Sequence, residues 1–116
     1  MIGRGDLVWV DLDPVRGSES NARRPAVVVS NDGANRTAST LGRGVVTVVP
    51  VTANTTRVYA FQVLLPAGTC GLAQDSKAQA EQVRSISVER VVDVVGRLPN
   101  ELVDALDEAL RLHLSL

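Results

Sequence analysis

Cysteine, histidine and aromatic residues are nearly missing from this 116-residue chain, which has one Cys, one His and one each of Trp, Tyr and Phe. A single Cys70 excludes an internal disulfide framework and a thiolate metal site within one chain, and it suits a reducing cytoplasm. A lone His113 excludes a two-histidine nuclease site and a His-rich metal site. No apolar run approaches the ~20 residues that cross a bilayer, and the start Met-Ile-Gly-Arg-Gly-Asp lacks the hydrophobic core of a secretory signal. The expectation is a cytoplasmic protein with no membrane role, no metal and no cofactor. Excess positive charge is missing as well. A net charge of -1 and a pI of 5.7 argue against a protein that binds nucleic acid simply by being basic. The halves nevertheless differ: residues 1–60 carry seven Arg against five acids, and residues 61–116 carry five Lys or Arg against eight.

What is present is valine, in short runs. By size the chain is one domain, 1–116, able to bury roughly two thirds of its unfolded surface. Asp6 to Asp13 alternates as a first strand, in which Trp9 reads as a core or interface residue. Ala26 to Val29 is a continuous apolar run and reads as a strand buried on both faces. Gly44 to Pro50 predicts a third strand, with Thr52 just past its end. Val58 to Leu65 continues the pattern with Tyr59, Phe61, Val63 and Leu65 on one face. Pro66 to Lys77 is turn-rich, Ala80 to Ile86 predicts a short strand, and Ser87 to Arg90 a turn or brief helix. Val91 to Val95 is a last strand, closed by Gly96. Polar loops are expected at Asp13 to Arg23 and at Asn31 to Arg43. One helix follows Pro99, with Asn100 as its N-cap and Leu102, Val103, Leu106, Ala109, Leu110 and Leu114 on one face; His113, near its end, reads as a capping or surface residue. The class is mainly β with a C-terminal helix, a small twisted antiparallel sheet or part-barrel.

One place combines charge with rigid geometry. Pro25 has no N–H, sits well at a strand entrance and pushes Arg24 into an extended conformation. A guanidinium fixed at the lip of a central strand matches two phosphate oxygens with its planar fork. By position alone, however, Arg23 and Arg24 read more readily as ordinary solvated charges ahead of a strand. Glu19 lies in the preceding loop and Thr52 beyond the third strand, where a hydroxyl serves either the local backbone or a substrate phosphate.

Four pieces, Gly5-Asp6-Leu7-Val8-Trp9-Val10-Asp11-Leu12, Gly17-Ser18-Glu19, Arg24-Pro25-Ala26-Val27-Val28-Val29-Ser30 and Pro50-Val51-Thr52, resemble in order and spacing the MazF/PemK family of toxin endoribonucleases. Glu81-Gln82-Val83-Arg84-Ser85-Ile86 and Val94-Val95-Gly96-Arg97-Leu98 extend the resemblance over nearly the whole chain. It implies an SH3-like barrel, a homodimer, and metal-independent cutting of single-stranded RNA that a MazE-like antitoxin blocks by covering the RNA groove. Arg24 and Thr52 match the family's catalytic arginine and threonine, and Glu19 the loop acid some members use. The mildly acidic pI is a departure from the charge expected of an RNA-cutting enzyme.

The implied reaction is attack of the 2′-hydroxyl on the adjacent phosphorus, leaving a 2′,3′-cyclic phosphate and a 5′-hydroxyl. Arg24 and Thr52 would stabilise the phosphoryl charge and Glu19 would be the base; the group that protonates the leaving oxygen stays open. Bases would be read by the polar loops, with candidates Ser18, Ser20, Asn21 and Arg23 in the first, Asn31, Asn35 and Arg36 in the second, and Asn54, Thr55 and Arg57 beyond Thr52. With so few aromatics, stacking on arginine planes takes the place of ring stacking. Two alternatives stay open: a member that binds RNA or antitoxin without cutting, and a DNA gyrase-binding toxin like the related CcdB proteins. The latter rely on a tryptophan near the C terminus, whereas this chain ends Leu112-His113-Leu114-Ser115-Leu116.

Overall fold

Valine at every position of a short run gives both faces of a strand an apolar covering, and the chain builds two cores accordingly. The computed structural model describes residues 2–12 and 23–116. Strands β1 (Asp6–Asp11), β2 (Arg23–Val28) and β3 (Val45–Thr52) form the centre of a seven-stranded sheet. On one face Leu7, Val27, Val49 and Val51 pack with Leu98, Leu106 and Ala109. On the other, Val8, Val10, Ala26, Val28, Val46 and Val48 pack with Ala38, Ile86 and Val88. The two-sided burial expected of Ala26 to Val29 is present in Ala26, Val27 and Val28, each fully buried, while Val29 lies past the end of β2 and is half-buried.

The remaining strands are β4 (Gln62–Leu65), β5 (Ser76–Gln79), β6 (Arg84–Ser87) and β7 (Val91–Arg97). All recorded pairings are antiparallel. The order is β4-β5-β3-β2-β1-β7, and β6 pairs with the first half of β3. The sheet is therefore open, with β4 and β7 at its ends. β3 runs past Pro50, where the sequence predicted an end. Val45 to Val48 pair with β6 and Val51 to Thr52 with β5, so Pro50 falls in the gap between two partners and its missing N–H breaks no ladder bond on that edge.

Two helices cover the two cores. α2 (Asn100–Leu114) buries Leu106 and Ala109; its N-cap is Pro99, which offers no side-chain cap, and Asn100 is the first helical residue and not the cap. α1 (Asp32–Leu41) occupies the stretch predicted to be a polar loop. Asn31 caps it, its side chain accepting the Ala34 N–H at 2.8 Å, and Gly42 ends it at φ 65°, a left-handed conformation that glycine adopts without strain. Asn35 is fully buried there. It donates to the Ser30 carbonyl at 2.8 Å and accepts from the Ser30 hydroxyl at 2.5 Å, and that hydroxyl accepts the Thr47 N–H at 3.0 Å.

Three further expectations are corrected. The strand predicted over Val58 to Leu65 shortens to β4, because Tyr59 and Phe61 lie in the preceding turn. Ala80 to Ile86 divides into a 3₁₀ turn at Ala80–Gln82 and then β6. β5 arises inside a segment read as turns, since Ser-Lys-Ala-Gln carries no β-branched residue.

Candidate active site

Arg24 and Thr52 meet at one cavity. β2 and β3 pair as Ala26 with Pro50, Val27 with Val49 and Val28 with Val48. That ladder ends two residues short of Arg24 and Thr52, and beyond it β3 pairs with β5. Both positions belong to strands, so their geometry is that of the sheet and not of a loop. Thr52 pairs in turn with Lys77 on β5, and Arg24 with Val10 on β1. Paired residues share a face, so Arg24 lies on the face of Val10, and Thr52 on that of Lys77.

Both Arg24 and Thr52 contribute to the wall of a cavity of ≈ 390 Å³. Leu7, Trp9, Arg23, Pro25, Val51, Ala53 and Val95 line it from the sheet, and Cys70 to Gln74 with Ser76 close the other side. Arg24 is exposed and, among the described residues, has no carboxylate within ion-pair distance. Arg23 differs: its Nε lies 3.6 Å from Asp11 Oδ1, an exposed pairing of small energetic weight. The Thr52 hydroxyl oxygen accepts the Asn54 N–H at 3.2 Å. That local bond uses the oxygen and leaves the O–H proton free to donate outward.

The other candidates divide by position. Asn54 and Arg57 are exposed in the loop that leaves β3 at Thr52, with Thr55 half-buried between them. The Arg57 guanidinium lies 6.0 Å from the Tyr59 ring centroid. Asn31, Asn35 and Arg36 are not brought to the cavity. They follow the opposite end of β2 from Arg24, and seven extended residues span roughly 23 Å. Asn31 is committed to capping α1, and the Asn35 amide is buried, so that side chain presents nothing to RNA. Glu19, Ser18, Ser20 and Asn21 lie outside the described residues.

Trp9, read from the sequence as a core or interface residue, is 38 % exposed and also lines the cavity. Cys70 also lines the cavity, at φ 49°, with its thiol donating to the Arg97 carbonyl at 3.3 Å. Partial burial, and secondarily the Asp6 charge, push that thiol above its ordinary range, which makes it a poor nucleophile.

A family model for PemK-like, MazF-like toxins of type II toxin–antitoxin systems matches residues 3–114. This chain belongs to the PemK/MazF toxin family. It is 62 % identical to the endoribonuclease MazF9 of Mycobacterium tuberculosis, over all of this chain and 98 % of that one. It is 35 % identical to the endoribonuclease EndoA of Bacillus subtilis, over all of this chain and 97 % of that one. Among solved structures, MazF of Deinococcus radiodurans superposes with a TM-score of 0.74 at 27 % identity, covering 99 % of this chain and 97 % of that one. The open twisted sheet with its C-terminal helix is thus the MazF fold.

Proposed function

We propose that this MazF-type toxin is a sequence-specific endoribonuclease that cuts single-stranded RNA without a metal, by attack of the 2′-hydroxyl on the adjacent phosphorus. The observation that supports the reading is that Arg24 and Thr52, two phosphate-oxygen donors on strands, line one cavity. Negative charge grows on the phosphoryl oxygens as the attack proceeds, and fixed donors stabilise it more than they stabilise the bound substrate. Arg24 supplies the charge-assisted fork and Thr52 the neutral O–H. Glu19 is the proposed base that takes the 2′-hydroxyl proton. Arg23, Asn54, Thr55 and Arg57, with Ser18, Ser20 and Asn21, are the proposed base-reading groups, since unstacked bases are read by stacking and edge hydrogen bonds.

The toxin works in the cytoplasm as a homodimer that a MazE-like antitoxin inactivates. Among the described residues no helix is long and apolar enough to cross a membrane. Trp9, Val92, Val94 and Val95, each 38–42 % exposed on β1 and the edge strand β7, provide apolar surface for the second copy. Nothing in the structure favours gyrase binding over RNA cleavage.

The test is incubation of purified protein with a long unstructured RNA in EDTA, mapping new 5′ ends by primer extension. Discrete cuts whose 5′ ends accept a kinase-transferred phosphate without prior phosphatase treatment are expected. Cuts that require added Mg²⁺, or that carry 5′-phosphates, would overturn the mechanism.

A further inference from the structure

Lys77 is the only charged side chain in the buried class among the described residues, at 7 % exposure. No carboxylate lies within ion-pair distance of it among those residues. Its Nζ donates to the carbonyl of Arg57 at 2.5 Å. Burying an ammonium without a counter-charge is costly, and hydrogen bonding offsets only part of the cost. A Lys in the middle of an interior strand therefore asks for an explanation that packing does not supply.

Its neighbours suggest one. Lys77 pairs with Thr52 on one side and Leu64 on the other, so it stands next to the proposed catalytic threonine. The loop from Ala53 to Val58 leaves β3 at Thr52 and is tethered at both ends. At its start Asn54 N–H donates to Thr52 Oγ1, and Thr56 N–H to Asn54 Oδ1, each at 3.2 Å. At its far end the Lys77 ammonium holds the Arg57 carbonyl. The exposed Arg57 guanidinium then lies over Tyr59 and donates to its hydroxyl at 3.4 Å. The Tyr59 ring itself stacks on Phe61 with centroids 5.3 Å apart, and an exposed guanidinium over such a stack is a surface to which a nucleobase can be added.

We propose that Lys77 is a positioning residue, fixing the 53–58 loop so that Arg57 and Tyr59 stack the nucleotide beside the phosphate gripped by Arg24 and Thr52. The inference rests on the ribonuclease reading. Lys77 itself does not touch RNA, because its side chain is buried, at 7 % exposure.

Lys77→Met, which keeps the aliphatic stem, is compared with wild type on an RNA oligonucleotide carrying a single mapped cut site. The expected result is a KM raised about tenfold with kcat changed far less. New secondary cut sites on long RNA, faster amide exchange across residues 54–57 and substantial recovery in Lys77→Arg should accompany it. A folded Lys77→Met protein with wild-type KM, cut map and loop exchange overturns the proposal. So does a loss of thermal stability alone. Arg57→Ala, which keeps the carbonyl, should raise KM while leaving loop exchange unchanged, and it carries the test if Lys77→Met does not fold; an unchanged KM there also refutes the proposal. If wild type itself cuts nothing, the ribonuclease reading fails. Oligonucleotide affinity by fluorescence anisotropy then replaces KM, and equal affinities of wild type and Lys77→Met overturn the positioning role.

Discussion

Arg24 owes its extended entry to β2 to the residue after it, Pro25, and lines the same cavity as Thr52. The Arg-Pro-valine run made the strand entry legible in the sequence, and the resemblance named Arg24 and Thr52 together. The Thr52 hydroxyl accepts from the local backbone, a bond that leaves its proton free, and its proposed role is to donate to the phosphate. Thr52→Val should therefore lower kcat by about 10²-fold with little effect on the melting temperature, while Thr52→Ser retains most activity; single-turnover kinetics read both. Asn35 shows the opposite lesson. Polarity in the sequence suggested RNA contact, yet the amide is fully buried in a network with Ser30 and Thr47. Asn35→Ala leaves the Ser30 carbonyl and the space unfilled, and should cost about 2 kcal/mol in urea unfolding with cleavage of the surviving folded protein unchanged.

At the scale of elements, α1 and β5 were the segments the sequence concealed. α1 is rich in Ser, Thr, Asn and Gly, with only Asn35 and Ala38 buried, so it carries almost no apolar stripe. Its boundaries were nevertheless written: Asn31 before Asp32 at one end, Gly42 at the other. Replacing the cap, Asn31→Ala, should lower stability by about 1 kcal/mol in chemical denaturation and leave RNA cleavage intact, because the cap lies at the far end of β2 from Arg24. Asp32 ties this helix to the N-terminal segment. Its carboxylate accepts the Arg4 N–H at 2.7 Å, and that bond, more than its nearby charges, holds its pKa below the ordinary carboxylate value. A folded pKa below the unfolded one means that the tie stabilises the fold above about pH 4 and is lost as pH falls through the lowered value. In an NMR titration the Arg4 amide resonance should follow the Asp32 carboxyl, and Asp32→Asn should abolish that acid transition. β5 shows a different difficulty. Its residues are Ser, Lys, Ala and Gln, and only the ladders to β3 and β4 make them a strand.

For the whole molecule, valine-rich strands buried on both faces require two covers, and the two helices supply them. The C-terminal helix was legible because Leu102, Leu106, Ala109 and Leu110 recur at helical spacing. Leu106 is 2 % exposed in the core that also holds Leu7, Val51 and Leu98. Leu106→Ala should destabilise the protein by roughly 3 kcal/mol, read by urea unfolding. The open sheet leaves β7 as an edge with exposed Val92, Val94 and Val95. A lysine at Val94 should shift sedimentation toward the monomer.

The central claim is that Arg24 and Thr52 act as one phosphate-gripping unit in a metal-free cleavage. The most direct measurement is single-turnover cleavage in EDTA of an RNA oligonucleotide by wild type, Arg24→Ala and the Arg24→Ala/Thr52→Val pair, with circular dichroism confirming that each is folded. The account predicts that Arg24→Ala loses at least ~10²-fold in rate and that the second substitution adds far less than its own single effect, because the two donors serve one charge. A folded Arg24→Ala protein that cuts within a few-fold of the wild-type rate would contradict it.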